Sequence, residues 1–320
     1  MQDSTDPMPS STIPGHWYGS ELSEGDWRLE IPTAAIDELD SALDQPASDD
    51  VGSLPPMPAV QAVLSRLRER LFNGTGVAVA SRLPAQEWGA DRTRRAASML
   101  AHLMGAPTEQ THNGVTLYAV EDTGAGPDTG VRRSLTNAAQ PFHSDAPWIR
   151  QPPSIVSLYC LRAARTGGMS RCVSLRAIVA DLEQSAPELA ARLTREMLWH
   201  RQSEHAADDD PVSRHPVVWK DEAGQWCGRL YADYVTSGYK RAGEPIDADA
   251  QRALEALERM SNEAHRQLEY RLEGGDVAWL NNRWCLHARS AFETSVTDDQ
   301  PRLLLRVWHR SDTDVVTLDS

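Results

Sequence analysis

Short apolar runs bounded by Gly- and Pro-containing turns fill the middle and end of the chain: SIVSLYCL (154–161), SRCVS (170–174), DVAWL (276–280) and RLLLRVW (302–308). Runs of this length and composition read as strands. Helical spacing comes before them, at 32–44, 58–72 and 86–104, and is inserted among them at 175–198 and 247–270, with Thr33 and Asp247 as candidate N-caps. Residues 115–120 read as strand and 204–216 as loop. The elements do not alternate as βαβα units, and no G-x-G-x-x-G or Walker loop follows a strand. The order predicts an α+β chain with a β-sandwich or jelly-roll core decorated with helices. A polar, Pro-rich flexible lead (1–15) would precede one domain (16–320). The Gly-rich segment 121–130 reads equally as a lid over a pocket or a surface loop.

Lys and Arg total 32 against 46 Asp and Glu, a net charge of −14. Such a chain, with no basic run, lacks the face that nucleic acid or an anionic membrane requires. The N-terminus lacks the basic and apolar regions of a signal peptide, and no apolar run approaches a membrane span. Cys160, Cys172, Cys227 and Cys285 are far apart and form no C-x-x-C pair, so neither a zinc knuckle nor a disulfide framework is indicated. The expectation is a soluble, cytoplasmic protein acting on a small molecule, of oligomeric state that the sequence does not reveal.

One H-x-D occurs, in FHSD (142–145). On a strand, residues two apart share a face, so His143 and Asp145 could reach one metal. His287 follows an apolar strand in NNRWCLHARSAF (281–292). Two imidazoles and one carboxylate make a facial triad with three open positions, which suits a non-haem Fe(II) oxygenase. With ten histidines in the chain, one H-x-D is also expected by chance. In the final strand Arg302, Leu304, Arg306 and Trp308 share a face, opposite Leu303, Leu305 and Val307. Two arginines on an apolar strand need anions, from a ligand or from internal carboxylates, unless that face is exposed.

Taken together, TNAAQPFHSDAPW (136–148), ARTGGMS (164–170), SRHPVV (213–218) and the segment from GDVAWL to PRLLLRVWHR (275–310) resemble the taurine dioxygenase / clavaminate synthase-like (TauD/TfdA-type) family of Fe(II)/2-oxoglutarate-dependent dioxygenases. The resemblance runs from about residue 74 to 310 and implies a double-stranded β-helix (jelly roll). It implies Fe(II) held by His143, Asp145 and His287, with 2-oxoglutarate and O2 as co-substrates. Arg302 would clamp the far carboxylate of 2-oxoglutarate with Ser170, where the family often has Thr. Arg306 matches a position that meets an acidic group of the substrate in several members. Asn137 is a further candidate for substrate contact. Halogenating relatives lack the carboxylate ligand, so Asp145 favours hydroxylation of a small acidic or amino-acid-like molecule, with release of succinate and CO2.

Desaturation or oxidative cyclisation would use the same scaffold. A zinc hydrolase would need a general base beside the metal water, and no Glu is placed for it by motif. A non-catalytic jelly-roll binding protein is the third alternative. His215 reads as structural, Trp148, Trp279, Trp284 and Trp308 as wall, and His309 and Arg310 as solvated.

Overall fold

The computed structural model describes residues 13–45, 54–125, 132–202, 204–205, 208–293 and 301–310. In chain order the strands are β1 (Arg28–Glu30), β2 (Val77–Ser81), β3 (Ala106–Thr108), β4 (Tyr118–Glu121), β5 (Gln140–His143), β6 (Ile155–Arg162), β7 (Ser170–Ser174), β8 (Glu196–His200), β9 (Val212–Pro216), β10 (Val218–Lys220), β11 (Trp226–Gly228), β12 (Leu268–Tyr270), β13 (Val277–Asn281), β14 (Cys285–Arg289) and β15 (Leu303–Arg310). The helices are α1 (Glu24–Trp27), α2 (Thr33–Leu43), α3 (Pro58–Phe72), α4 (Ala85–Met104), α5 (Leu175–Ser185), α6 (Pro187–Leu193), α7 (Ala232–Ala242) and α8 (Ala248–Ser261).

The major sheet runs β1-β2-β13-β6-β15-β3, with β4 also on β15, and the minor sheet runs β12-β7-β14-β5. Side-chain alternation gives each sheet two apolar faces. Val77, Val79, Ala278, Leu280 and Leu304 of the major sheet meet Cys172, Leu268, Tyr270 and Cys285 of the minor sheet in an inner core. Ala78, Ala80, Leu303, Leu305 and Val307 face outward under α2, α3 and α4. Val173 and Leu286 face outward under α5 to α8. The result is the expected jelly roll, sandwiched between helices, with the arginine-bearing face of β15 turned inward. No helix among the described residues is long and apolar enough to cross a membrane.

Several local expectations are corrected. Pro32 is the N-cap of α2 and Thr33 its first residue. The helix expected over 175–198 breaks before Pro187, which cannot donate to a helical ladder, and 196–200 is a strand. Its partner is β9, inside the expected loop 204–216. Asp247 does cap α8, its carboxylate accepting from Ala250 N at 2.8 Å, but that helix stops at Ser261 and 268–270 pairs with β7. Helix α7 was not foreseen. Strand β4 begins three residues later than residue 115. Within the expected lead, residues 1–12 lie outside the described residues; Gly15 donates its N–H to Gly74 O, and the Pro14 carbonyl accepts from Arg176. Residues 126–130 of the expected lid also lie outside the described residues.

His309 is buried rather than solvated, because β15 continues far enough to pair with β3 beside the end of α4. Its Nε2 lies 2.7 Å from Ser157 Oγ, and burial pushes the imidazole down to about 4. Arg310 is exposed as expected. The unfolded chain takes up this proton near the ordinary 6.5, whereas the folded chain does so only near 4. This contribution is therefore complete above pH 6.5 and is lost as pH falls towards 4, about 3 kcal/mol in all. His309→Gln should flatten the fall in urea midpoint between pH 7 and 4.5; a slope equal to that of the unsubstituted protein would refute the assignment.

Candidate active site

The minor sheet puts two imidazoles side by side. His143, the last residue of β5, is paired directly with His287 of β14, and their rings lie 4.1 Å apart. His143 Nδ1 donates to Pro141 O at 2.9 Å, which leaves the Nε2 lone pair free of a proton. Asp145 does not lie on the strand: β5 ends at His143, and the carboxylate reaches back from beyond it. Its oxygen Oδ1 is 3.6 Å from His143 Nε2 and 3.9 Å from His287 Nε2. One ligand atom from each residue falls within 4.8 Å of the others.

Asp145 is held in that position by Asn282, which the sequence did not single out, by Trp308, read there as wall, and by Arg306, read there as a substrate contact. Asn282 accepts from Asp145 N at 2.8 Å and donates to Asp145 O at 3.0 Å, clamping the peptide from both sides. Trp308 Nε1 donates to Oδ2 at 2.8 Å, and Arg306 Nη1 lies 3.3 Å from Oδ1. Burial opposes ionisation of Asp145, but Arg306, His143 and His287 outweigh it and hold the carboxyl well below the usual range. Burial and the neighbouring His143 push His287 down to about 3, so it is neutral at pH 7. An ionised carboxylate and neutral imidazoles are the donor set a divalent iron needs.

Beyond the histidines lies a cavity lined by His143, His287, Ser170, Arg289, Arg302 and Arg306, among others. Gly167 and Gly168 both have positive φ, and a Cβ on Gly167 would stand 2.2 Å from Ala291 O, so the T-G-G turn can approach the 291–292 backbone only with glycine. That turn delivers Ser170 to the cavity wall. Arg302 is buried, its Nη1 has no hydrogen-bond partner, and its guanidinium stacks on Phe292 at 5.0 Å. Burial lowers its pKa to about 10. A buried, unpaired guanidinium facing a cavity is a site for an anion.

On the other side of the histidines a second cavity is lined by Arg133, Asp145, Trp148, Tyr231, Tyr234 and Trp308, among others. Tyr231 and Tyr234 stack at 4.0 Å, and Tyr231 lies 5.1 Å from the His143 ring. Ser144 N–H donates to Leu230 O at 2.8 Å, and Leu230 N–H donates to Ser144 Oγ at 3.1 Å, which fixes this wall against β5. Arg229 braces the loop after Asp145 by donating to the carbonyls of Pro147, Ile149 and Arg150. Arg306 lines both cavities and is largely engaged: Nε donates to Gln110 Oε1 at 2.8 Å while Nη1 faces Asp145. Gln110 in turn donates to the carbonyls of Thr116 and Arg306.

The structure thus brings together His143, Asp145, His287, Ser170, Arg302 and Arg306. Asn137 is exposed and lines neither cavity; its carbonyl accepts from Phe292 N. Gln110, Asn282 and Arg289 carried no sequence signal, because each acts through contacts made only in the folded chain. Gln140, whose amide lies 2.9 Å from His143 Nε2, had one: it precedes His143 by three residues.

A jelly roll carrying two histidines and one convergent carboxylate, with an unpaired arginine in the cavity beside them, defines a class, the mononuclear non-haem iron oxygenases that use a 2-oxo acid. Residues 29–308 match the taurine catabolism dioxygenase TauD, TfdA family, and the chain belongs to it. It is an Fe(II)/2-oxoglutarate-dependent dioxygenase. It is 24% identical over 257 residues to an FR-33289 synthase of Streptomyces rubellomurinus, covering 79% of this chain and 74% of that protein. It is 29% identical over 181 residues to a gamma-butyrobetaine dioxygenase of a Pseudomonas species, covering 52% of this chain and 45% of that one. Its fold is similar to that of an asparagine oxygenase in complex with Fe(II), 3-hydroxyasparagine and succinate, with a TM-score of 0.72, 18% identity, and coverage of 89% and 94%.

The groups that hold Asp145 should govern metal affinity. Trp308→Phe and Asn282→Ala should each weaken Fe(II) binding about 10- to 100-fold, read by competition with a chelating dye, with far-UV circular dichroism unchanged. Unaltered affinity in both would show that Asp145 needs no such support.

Proposed function

We propose that the protein hydroxylates an unactivated C–H bond of a small acidic or amino-acid-like molecule, consuming 2-oxoglutarate and O2 and releasing succinate and CO2. The observation that carries this reading is the convergence of the three ligand atoms, two of them from histidines that line the same cavity as the unpaired Arg302. Bound there, Fe(II) would supply the redox chemistry that activates O2 at the expense of the oxo acid.

His143, Asp145 and His287 would hold the iron on one side and leave its remaining positions to co-substrates. Arg302 and the Ser170 hydroxyl would take the far carboxylate of 2-oxoglutarate, so that the oxo acid end points at the histidines. The aromatic wall of Tyr231, Tyr234 and Trp148 would exclude water and present the substrate carbon. Arg133, and the edge of Arg306 that faces neither Gln110 nor Asp145, would meet an anionic group of the substrate. Among the described lining residues of the two cavities Asp145 is the one acid, so a hydrolytic zinc site would have no separate general base. The four buried, free cysteines fit a reducing, cytoplasmic setting.

His143→Ala should abolish succinate formation while the chain stays folded; full iron-dependent turnover by that variant would exclude the triad. Arg302→Ala should raise the KM for 2-oxoglutarate about ten- to a thousandfold, and Arg302→Lys should recover part of the loss, since an ammonium lacks the planar fork. An unchanged KM would remove Arg302 from the co-substrate site.

A further inference from the structure

We infer that Arg289 is a second guanidinium of the co-substrate pocket, sharing the far carboxylate of 2-oxoglutarate with Arg302. The inference rests on the proposed iron and 2-oxoglutarate reading of this cavity and adds to it a residue that sets the demand for a dianion.

The register places Arg289. It lies two residues after His287 on β14, so it points to the same inner face. Its direct neighbours across the ladder are Ser170 on one side and Gln140 on the other. It therefore stands one step along the sheet from the His143–His287 pair, in the row that contains Ser170. Its guanidinium stacks on Phe292 at 4.8 Å, the same ring that carries Arg302 at 5.0 Å. Phe292 is itself fixed, bridged to Gly167 and bonded through its N–H to Asn137 O. One aromatic side chain thus holds two like charges against the same end of the cavity.

The hydrogen-bond inventory of Arg289 is incomplete. Nη2 donates to the carbonyls of Thr136 and Ala138. Nε and Nη1 are buried and have no partner, as is Nη1 of Arg302. No acid lines this cavity among the described residues. A guanidinium needed only to tie down residues 136–138 would be expected to pair its remaining donors with protein groups. Two neighbouring guanidiniums with unpaired donors repel each other, and a ligand carboxylate placed between them removes both penalties.

The experiment compares 2-oxoglutarate with 2-oxopentanoate, which has the same five-carbon chain and oxo acid end but no far carboxylate. Binding of each to anaerobic Fe(II) protein is followed by calorimetry and by the metal-to-ligand charge-transfer band. The unsubstituted protein should strongly prefer 2-oxoglutarate. Arg289→Gln should weaken 2-oxoglutarate roughly tenfold or more while changing 2-oxopentanoate less than about twofold. Arg289→Lys should fold, keep the cation and restore part of the preference. Combining Arg289→Gln with Arg302→Gln should give less than the product of the single effects, since both act on one carboxylate. If Arg302→Gln removes the preference and Arg289→Gln leaves it intact, or weakens both acids equally, Arg289 is a loop tether and the proposal is wrong. If the unsubstituted protein shows no preference at all, the reading of the cavity as a 2-oxoglutarate site fails first and this inference with it.

Discussion

A buried carboxylate surrounded by cations and donors is the constraint around which the interior is arranged. Asp145 receives Trp308 Nε1, faces Arg306 and both imidazoles, and has its peptide clamped by Asn282. An ionised group in that position without those partners would be too expensive to keep. The dependence runs both ways: Arg306 crosses an otherwise apolar inner core and is tolerable there because Asp145 and Gln110 neutralise and bond it. Losing one member of such a set strands the others, typically by about 3–5 kcal/mol for a buried ion pair.

The two sheets contribute differently to the site. The minor sheet supplies the imidazoles, through direct cross-strand pairing that leaves little freedom in their separation. The major sheet supplies the cations: Arg306 on β15 and Arg302 immediately before its first residue both line the first cavity. The outer helices supply neither set, although Tyr234 of α7 lines the second cavity beside His143 and Arg306. They cover the outer faces and keep each sheet rigid enough to hold side chains that repel or crowd one another.

Much of this was legible in the chain. The alternation in RLLLRVW assigned the arginines to one face, and the inner core confirms it through Leu304. ARTGGMS was legible as a turn through the resemblance, and the fold adds that its Gly167 meets Ala291 too closely for any Cβ. What the pattern could not carry were contacts between distant segments. Asn282 looked like one polar residue after a strand, and nothing local says that its amide meets residue 145. Arg289 is one of many arginines until the register sets it beside Ser170. The misread elements share a cause as well: 196–200 and 268–270 continue the composition of the helices before them, and become strands only because β9 and β7 offer a ladder. His309 was misjudged because the end of a strand is usually wet, and here β3 closes over it.

Strand β5 is short and lies at the edge of the minor sheet, whereas β14 is flanked on both sides. His287 is therefore built into the interior, while His143 and the turn bearing Asp145 sit where the sheet gives way to loops. Insertions and exchanges among residues 146–150 and 231–234 would reshape the substrate chamber while Asp145 and the inner ladder stay in place. The same scaffold can thus change its diet while its oxidising centre stays put, because the boundary between the fixed ladder and the loops runs along one strand.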